Sequence, residues 1–337
     1  MTNKKKIYYS IIIFSFLIIL SFIFLEISSR IYSFYVKKNY CAKFLTVKKY
    51  NSLPDKILGY KPKEGKKIGC EKENYTINSD GIRDYKGYNF EKSNFLIVGD
   101  SFGFGDEVSD NETLSYFLFN KYNIRTVNAA VYGYGLDQSL LRAKRIIERK
   151  KMNVLLIIAP GGWSRTNLSV RNGIKKPYYK KNKNGQLNLI LPNQEEFKKS
   201  IATHALEKSK LIKKLVTVSG IRKYLSQEIY IADMDEIDKS CLILKNFNNE
   251  AKLNNYNFDL IFYRDAAEIY AEDRTRFIKS NKLLNCLKKN DINYLDTYKI
   301  LNKNKNLKLY IKKLYGHPNG KANLLVSKEI YNYINKN

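Results

Sequence analysis

Apolar and polar positions separate sharply at the N-terminus, where Lys4-Lys5-Lys6 gives way to an uncharged run from Ile7 to Leu25 dominated by Ile, Leu and Phe. Nineteen residues in a helix span about 28 Å at roughly 1.5 Å each, the depth of a bilayer's hydrocarbon core. A cleaved signal peptide has a shorter apolar centre and a small-residue cleavage site. Here Phe24-Leu25-Glu26-Ile27 comes next, with Ser28-Ser29 the only weak candidate. The pattern predicts an uncleaved transmembrane anchor over residues 7–27 behind a cytoplasmic tail of residues 1–6. Lysines ahead of the span keep that end in the cytoplasm and export the chain beyond it, with Arg30, Lys37 and Lys38 on the far side pulling weakly the other way.

Residues 28–90 are polar and turn-rich, with Leu58-Gly59-Tyr60-Lys61-Pro62 and Ile77-Asn78-Ser79-Asp80-Gly81-Ile82-Arg83. They read as a juxtamembrane stalk that packs on the following domain. From Phe95 the pattern becomes regular. Apolar runs at Phe95–Val98, Ile124–Asn128, Val154–Ala159, Phe258–Tyr263 and Ile292–Asp296 predict strands. Between them, helical patterning predicts helices near 112–121, 136–150, 236–253 and 273–289, and a last one at 320–334. Strand and helix in alternation predict an α/β domain over 91–337 with a parallel sheet covered on both faces. Residues 165–235 break the rhythm. They show no strong strand, a Lys- and Asn-rich run at 180–184 and a basic amphipathic stretch over 195–230. An interval that long predicts a lid or cap rather than a bare connection, its apolar face covering the site or lying on the membrane.

Candidate chemistry sits at the first of these strands, in Phe95-Leu-Ile-Val-Gly99-Asp100-Ser101-Phe102-Gly103-Phe104-Gly105. An apolar strand delivers Ser101 into a glycine-rich turn, and ligands of open parallel sheets sit beyond the carboxyl ends of strands. Glycines allow the tight turn, and the Ser101 N–H can face an oxyanion. No Gly-Lys-Ser/Thr comes after it, which removes a phosphate-binding P-loop. A serine nucleophile needs a base, and the chain has two histidines. His204 falls within the expected lid, where a surface or packing role suits it. His317, in Tyr315-Gly-His-Pro-Asn319, stands in a turn before the last helix and is the candidate base.

Charge and cysteine content change the picture little. The net charge of +28 would raise nucleic acid as a partner, but the lysines are scattered among Asn, Ile and Tyr and no nucleic-acid motif accompanies them. Cys41, Cys70, Cys241 and Cys286 lack CxxC spacing, so no zinc site is expected. In an oxidising compartment Cys41 could pair with Cys70 and Cys241 with Cys286, the latter joining two helices, with free, partly buried thiols the preferred expectation for the second pair.

In this order the elements resemble the GDSL/SGNH hydrolase family over residues 90–337. Gly99-Asp100-Ser101 is similar to its first block, Asn128-Ala-Ala-Val-Tyr-Gly133-Tyr-Gly135 to its second, and His317-Pro318-Asn319 to its last. The resemblance implies a three-layer, flavodoxin-like doubly wound parallel sheet. It also implies a Ser101–His317 catalytic pair supported by Asp100, oxyanion donors at Ser101 and Gly133, and no metal or cofactor. The chain departs from the family twice. Pro160-Gly161-Gly162-Trp163-Ser164 replaces the block that carries an oxyanion-binding asparagine, leaving Gly162 N–H or Ser164 as substitute donors. The aspartate normally two or three residues before the histidine is absent, Leu314 and Tyr315 standing there, so Asp296 is the remaining candidate. Gly99-Asp-Ser-Phe-Gly103 also matches the elbow of α/β-hydrolases, but that elbow follows several strands and this one follows the first. The expectation is an exported serine esterase or O-acyltransferase, tethered in the cytoplasmic membrane through residues 7–27 and acting on acylated cell-envelope carbohydrate. The alternative is a catalytically degenerate glycan-binding subunit of the same fold.

Overall fold

The computed structural model describes residues 3–39, 52–68, 74–171, 173–192, 228–231, 233–271, 273–311 and 316–336. The chain divides into two units, residues 1–44 with 196–228, and residues 45–195 with 229–337. In the first unit the described element is helix α1 (Asn3–Asn39). Its stretch Ile7–Tyr32 has a mean hydropathy of 2.7, and it is long and apolar enough to cross a membrane or to serve as a signal sequence. The helix runs past the expected end of the span because residues 28–39 hold no Gly or Pro to stop it.

The second unit opens with two short hairpins. Strand β1 (Ser52–Asp55) pairs with β2 (Gly59–Pro62), and β3 (Gly65–Ile68) with β4 (Asn74–Ile77). Then come β5 (Phe95–Gly99), the one-turn helix α2 (Ser101–Phe104), α3 (Leu114–Tyr122), β6 (Thr126–Asn128), α4 (Leu136–Ile147), β7 (Asn153–Ile158) and α5 (Pro160–Ser164). Five short strands are next: β8 (Leu168–Arg171), β9 (Ile174–Lys175), β10 (Tyr178–Lys181), β11 (Leu187–Ile190) and β12 (Ile229–Tyr230). The chain closes with α6 (Glu236–Leu253), β13 (Phe258–Phe262), α7 (Ala266–Tyr270), α8 (Arg274–Lys289), β14 (Asn293–Asp296), α9 (Tyr298–Lys303) and α10 (Gly320–Ile334).

Strands β5, β6, β7, β13 and β14 form one parallel sheet in the order β14-β13-β7-β5-β6. Numbered among themselves these strands run 2-1-3-4-5, the flavodoxin-like order, so the expected doubly wound sheet is present. Alternate residues feed two cores, as the two-residue period of a strand requires. Ile97, Leu155, Ile157 and Ile261 face a core closed by Leu118 of α3 and by Val326 and Ile330 of α10. Leu96, Val98, Val154, Leu156, Leu260 and Phe262 face the other, closed by Leu140 of α4, Leu244 and Phe247 of α6 and Leu287 of α8. The polar segment ahead of β5 joins these cores. Leu58, Tyr60, Tyr75 and Ile77 enter the first and Ile82 the second, and Arg83 bridges Ile77 of β4 to Asn128 of β6.

Two expectations are corrected. Residues 165–235 do hold strands: β8 is flanked by β9 and β12 in a small antiparallel sheet, and β10 and β11 make a hairpin. The Lys- and Asn-rich run at 180–184 turns that hairpin, with Asn182 Oδ1 accepting the N–H groups of Asn184 and Gln186. The strands were hidden because each has only two to four residues, too few for an alternation to register, and outside β8, where Leu168 and Val170 are buried, they bury little. Most of the basic amphipathic stretch, with His204, lies outside the described residues. The second correction concerns Cys241 of α6 and Cys286 of α8, which form a disulfide with Cα atoms 6.0 Å apart. The two helices pack side by side over the second core, so the pairing that joins two helices holds in place of the preferred free thiols. The pair Cys41 and Cys70 lies outside the described residues.

The disulfide closes a loop with a sequence separation of 45, for which chain entropy gives about 4 kcal/mol. A Cys241→Ala/Cys286→Ala double variant of the full chain in detergent is expected to lose roughly 2–4 kcal/mol in thermal or denaturant unfolding. A melting curve identical to the parent would show that the bond adds nothing.

Candidate active site

Strand β5 carries its chain straight into the site because the next residues can turn nowhere else. Gly99 has φ +145°, and a Cβ there would lie 1.9 Å from the Ile157 carbonyl oxygen of β7. Only glycine permits that approach. Asp100 comes next as the cap of α2, its Oδ1 accepting the Phe102 N–H at 3.0 Å. At the far end Gly105, in the left-handed region at φ +79°, returns its N–H to the Ser101 carbonyl at 3.1 Å. Ser101 thus sits at the head of a single rigid turn at the carboxyl end of β5, 7% exposed.

The other side chain comes from more than two hundred positions away in sequence. Asn319 caps α10 by accepting the N–H groups of Lys321 and Ala322, and its own N–H donates to Leu309 O at 2.9 Å. The Ile311 N–H donates to His317 O at 3.0 Å. These bonds, with the bridge between Tyr310 and Pro318, pin the turn that carries His317. They place His317 Nε2 2.9 Å from Ser101 Oγ. Phe102 stands edge-on to the imidazole with ring centroids 5.6 Å apart.

Three carboxylates surround this pair. Glu107 Oε2 lies 3.2 Å from His317 Nδ1, close enough for an ion pair though short of a well-aligned hydrogen bond. Asp106 Oδ2 lies 3.8 Å from Nε2. Asp100, buried, has Oδ2 3.5 Å from Arg165 Nη1. Burial works against a charged imidazole, but the negative charge of Asp106, then of Glu107 and Asp100, outweighs it and raises the His317 pKa above its usual range. Burial likewise raises the Asp100 pKa, with Arg165 opposing.

Of the sequence-derived candidates, Ser101, His317 and Asp100 come together. Gly133, in the loop after β6, has φ +80° and leaves no space for a side chain, since a Cβ would meet the Tyr60 hydroxyl at 2.8 Å. Val131 N–H donates to Gly99 O at 3.0 Å, binding that loop to the nucleophile turn. Among the described residues neither the Ser101 nor the Gly133 N–H is spent on a backbone carbonyl. Gly162 and Ser164 fare differently. The Gly162 N–H donates to Ala159 O at 2.8 Å, and the Ser164 hydroxyl donates to Gly161 O at 3.1 Å. Both are consumed in closing the one-turn helix α5, so the substitute donor is not found in either. Gly162 is there for space: a Cβ would strike Ile158 at 2.3 Å and come within 3.2 Å of Asp100 Oδ2. The carboxylates at His317 are Asp106 and Glu107, and Asp296 is instead paired with Arg264, at 2.8 and 2.7 Å. Leu314 and Tyr315 lie outside the described residues.

Asp106 and Glu107 escaped sequence reasoning. Carboxylates were sought beside the histidine, whereas these stand five and six positions after Ser101. The available signal was the acidic pair closing a glycine-rich turn.

No protein-family model matches the sequence, and no curated protein matches it. Solved structures similar to the chain include esterases and lipolytic proteins. A psychrotrophic esterase from Pseudoalteromonas sp., inhibited by monoethylphosphonate, is 15% identical with a TM-score of 0.41, covering 72% of this chain and 98% of its own. A member of the lipolytic G-D-S-L family from Veillonella parvula is 10% identical with a TM-score of 0.41, covering 71% and 96%. An acetylxylan esterase from Geobacillus stearothermophilus is 14% identical with a TM-score of 0.42, covering 72% and 94%.

Because Asn319 both caps α10 and anchors the turn of His317, Asn319→Ala is expected to cost about 1 kcal/mol of stability. It should also broaden the His317 ring signals in an NMR spectrum. Sharp, unshifted signals would show that the turn is held without the cap.

Proposed function

We propose that the chain is a serine ester hydrolase or O-acyltransferase of the SGNH type, with its catalytic domain exported and acting on acylated cell-envelope glycans. The observation that carries the chemistry is the 2.9 Å contact between His317 Nε2 and Ser101 Oγ on a turn at the carboxyl end of a central parallel strand. In the reaction Ser101 Oγ attacks the acyl carbon while its proton passes to Nε2, and the N–H groups of Ser101 and Gly133 receive the negative oxygen. The imidazolium then gives its proton to the departing alcohol. Water releases the acyl group as an acid, and an acceptor hydroxyl in its place completes a transfer. Three features support the cellular placement: Lys4–Lys6 ahead of an apolar helix, a disulfide suited to an oxidising compartment, and a domain that begins soon after the helix. An exported domain tethered at the membrane meets envelope polymers as its nearest ester substrates.

One observation favours a second reading. The Gly162 amide is occupied and no asparagine stands at the third block, so the oxyanion site has two donors. Loss of one donor can slow such chemistry about 10²–10³-fold, and a chain relieved of selection for turnover would keep the cleft as a glycan-binding site. Incubating the full chain in detergent with a fluorophosphonate decides between them. Labelling on Ser101 that disappears in Ser101→Ala and falls at least about 100-fold in His317→Ala is the expected result. A folded chain that takes no label is the degenerate subunit.

The base must be neutral to accept a proton, so labelling should rise as pH increases through the His317 pKa. Because the surrounding carboxylates raise that pKa, the half-maximal rate is expected at a pH above the ordinary histidine value of about 6.5. A midpoint at or below that value would show that the carboxylates do not act on the ring.

A further inference from the structure

We propose that Glu107 is the positioning residue that fixes the tautomer and orientation of His317, and that Tyr75 and Arg83, from the segment ahead of the catalytic strand, hold Glu107 in place. The inference rests on the reading of Ser101 and His317 as nucleophile and base.

Which nitrogen each carboxylate faces settles its role. A base that takes the serine proton on Nε2 must carry its own proton on Nδ1, and a carboxylate beside Nδ1 selects that form. Glu107 Oε2 is the oxygen at Nδ1, at 3.2 Å. Asp106 faces Nε2, at 3.8 Å, the nitrogen whose lone pair Ser101 needs. Its charge favours the imidazolium, but 3.8 Å is too long for the hydrogen bond that would hold a proton on Nε2. Asp100 acts on the ring by charge and is tied to the cap of α2 and to Arg165.

Glu107 reaches Nδ1 through a backbone that glutamate rarely adopts, φ +67°. A non-glycine residue in the left-handed region persists where its surroundings over-determine it, and such residues cluster at functional sites. Here the surroundings are specific. The Glu107 N–H is received by Tyr75 Oη and by Asp106 Oδ1, each at 3.0 Å. Arg83, fully buried, lies over the stacked rings of Tyr75 and Phe104, 4.5 and 4.9 Å from their centroids. Its guanidinium donates to the carbonyls of Phe104, Gly105 and Val108 and to Asp110 Oδ1. It therefore grips the loop on both sides of Glu107. A structural turn alone would favour glycine or asparagine at this position. A glutamate at φ +67° that points its carboxylate at the base is retained for the carboxylate.

The test uses the full chain in detergent with ¹⁵N-labelled histidine and a His204→Gln background, which leaves His317 as the only imidazole. The ¹⁵N shifts above the titration midpoint report the neutral tautomer. The expected parent state carries the proton on Nδ1. Glu107→Gln is expected to move the population towards Nε2–H and to slow fluorophosphonate labelling about 10²–10⁴-fold, while Asp106→Asn lowers the midpoint and leaves Nδ1 protonated. Glu107→Gly relieves the left-handed backbone, so it should melt no lower than the parent and still lose the tautomer, which separates positioning from folding. Tyr75→Phe should shift the tautomer part of the way. A parent ring protonated on Nε2, or a Glu107→Gln ring unchanged in tautomer, overturns the proposal. A tautomer shift in a chain that takes no label would leave Glu107 in its role and remove the hydrolase reading.

Discussion

The burial of one guanidinium organises the active end of this domain. Arg83 is 1% exposed, and a charge taken out of water is tolerated only when every donor finds a partner. Its partners come from residues 104–110, from the Asn74 carbonyl at the start of β4 and from two aromatic faces. Its backbone N–H meanwhile donates to Asn128 O at the sheet edge, 2.9 Å away. One residue thereby joins the segment ahead of the sheet, the edge strand β6 and the loop beyond the nucleophile. Removing one member of such a buried pairing costs about 3–5 kcal/mol in comparable cases, so these three parts are expected to be stable together or not at all.

Legibility in the sequence was a matter of range. The alternation of strands and helices, the nucleophile turn and the histidine before the last helix each register within a dozen residues, and each is found where the pattern places it. The β5 turn was readable because glycines mark it, and Gly99 has no room for a Cβ beside Ile157 O. Relations across the chain were not readable. Cys241 and Cys286 meet because α6 and α8 lie side by side. Asp296, at the end of its strand, turned out to be committed to Arg264. Arg83 stood in a polar stretch that patterning read as a stalk packing on the domain, and its burial rests on carbonyls from a loop no local rule connects to it.

Gly162 illustrates a finer limit. Sequence identifies a glycine after the third strand as a possible source of a backbone donor, because position and residue type agree. The geometry around it answers a different demand: the amide is used within α5, and the missing side chain makes space against Ile158 and beside Asp100. A glycine can be required for room and for its N–H alike, and the two are distinguished only by where its neighbours stand.

The placement of the carboxylates has a consequence for how the site holds its shape. In the family the chain resembles, the orienting acid stands on the same loop as the histidine, so the two move together and the serine is the separate part. In this chain the acids come after the serine. Asp106 N–H donates to Ser101 O at 2.9 Å, and the turn bearing Ser101 continues directly into Glu107. Ser101 and the carboxylates therefore form one rigid piece, braced from behind by Arg83 and Tyr75. His317 enters from another loop, and both of its ring nitrogens face that piece, Nε2 at the hydroxyl and Nδ1 at Glu107. A histidine gripped from two sides by a single turn has one orientation that satisfies both contacts. Alignment then depends on how firmly the turn is braced rather than on the stiffness of the histidine's own loop, which explains why so much buried polar structure is invested behind residues 104–110.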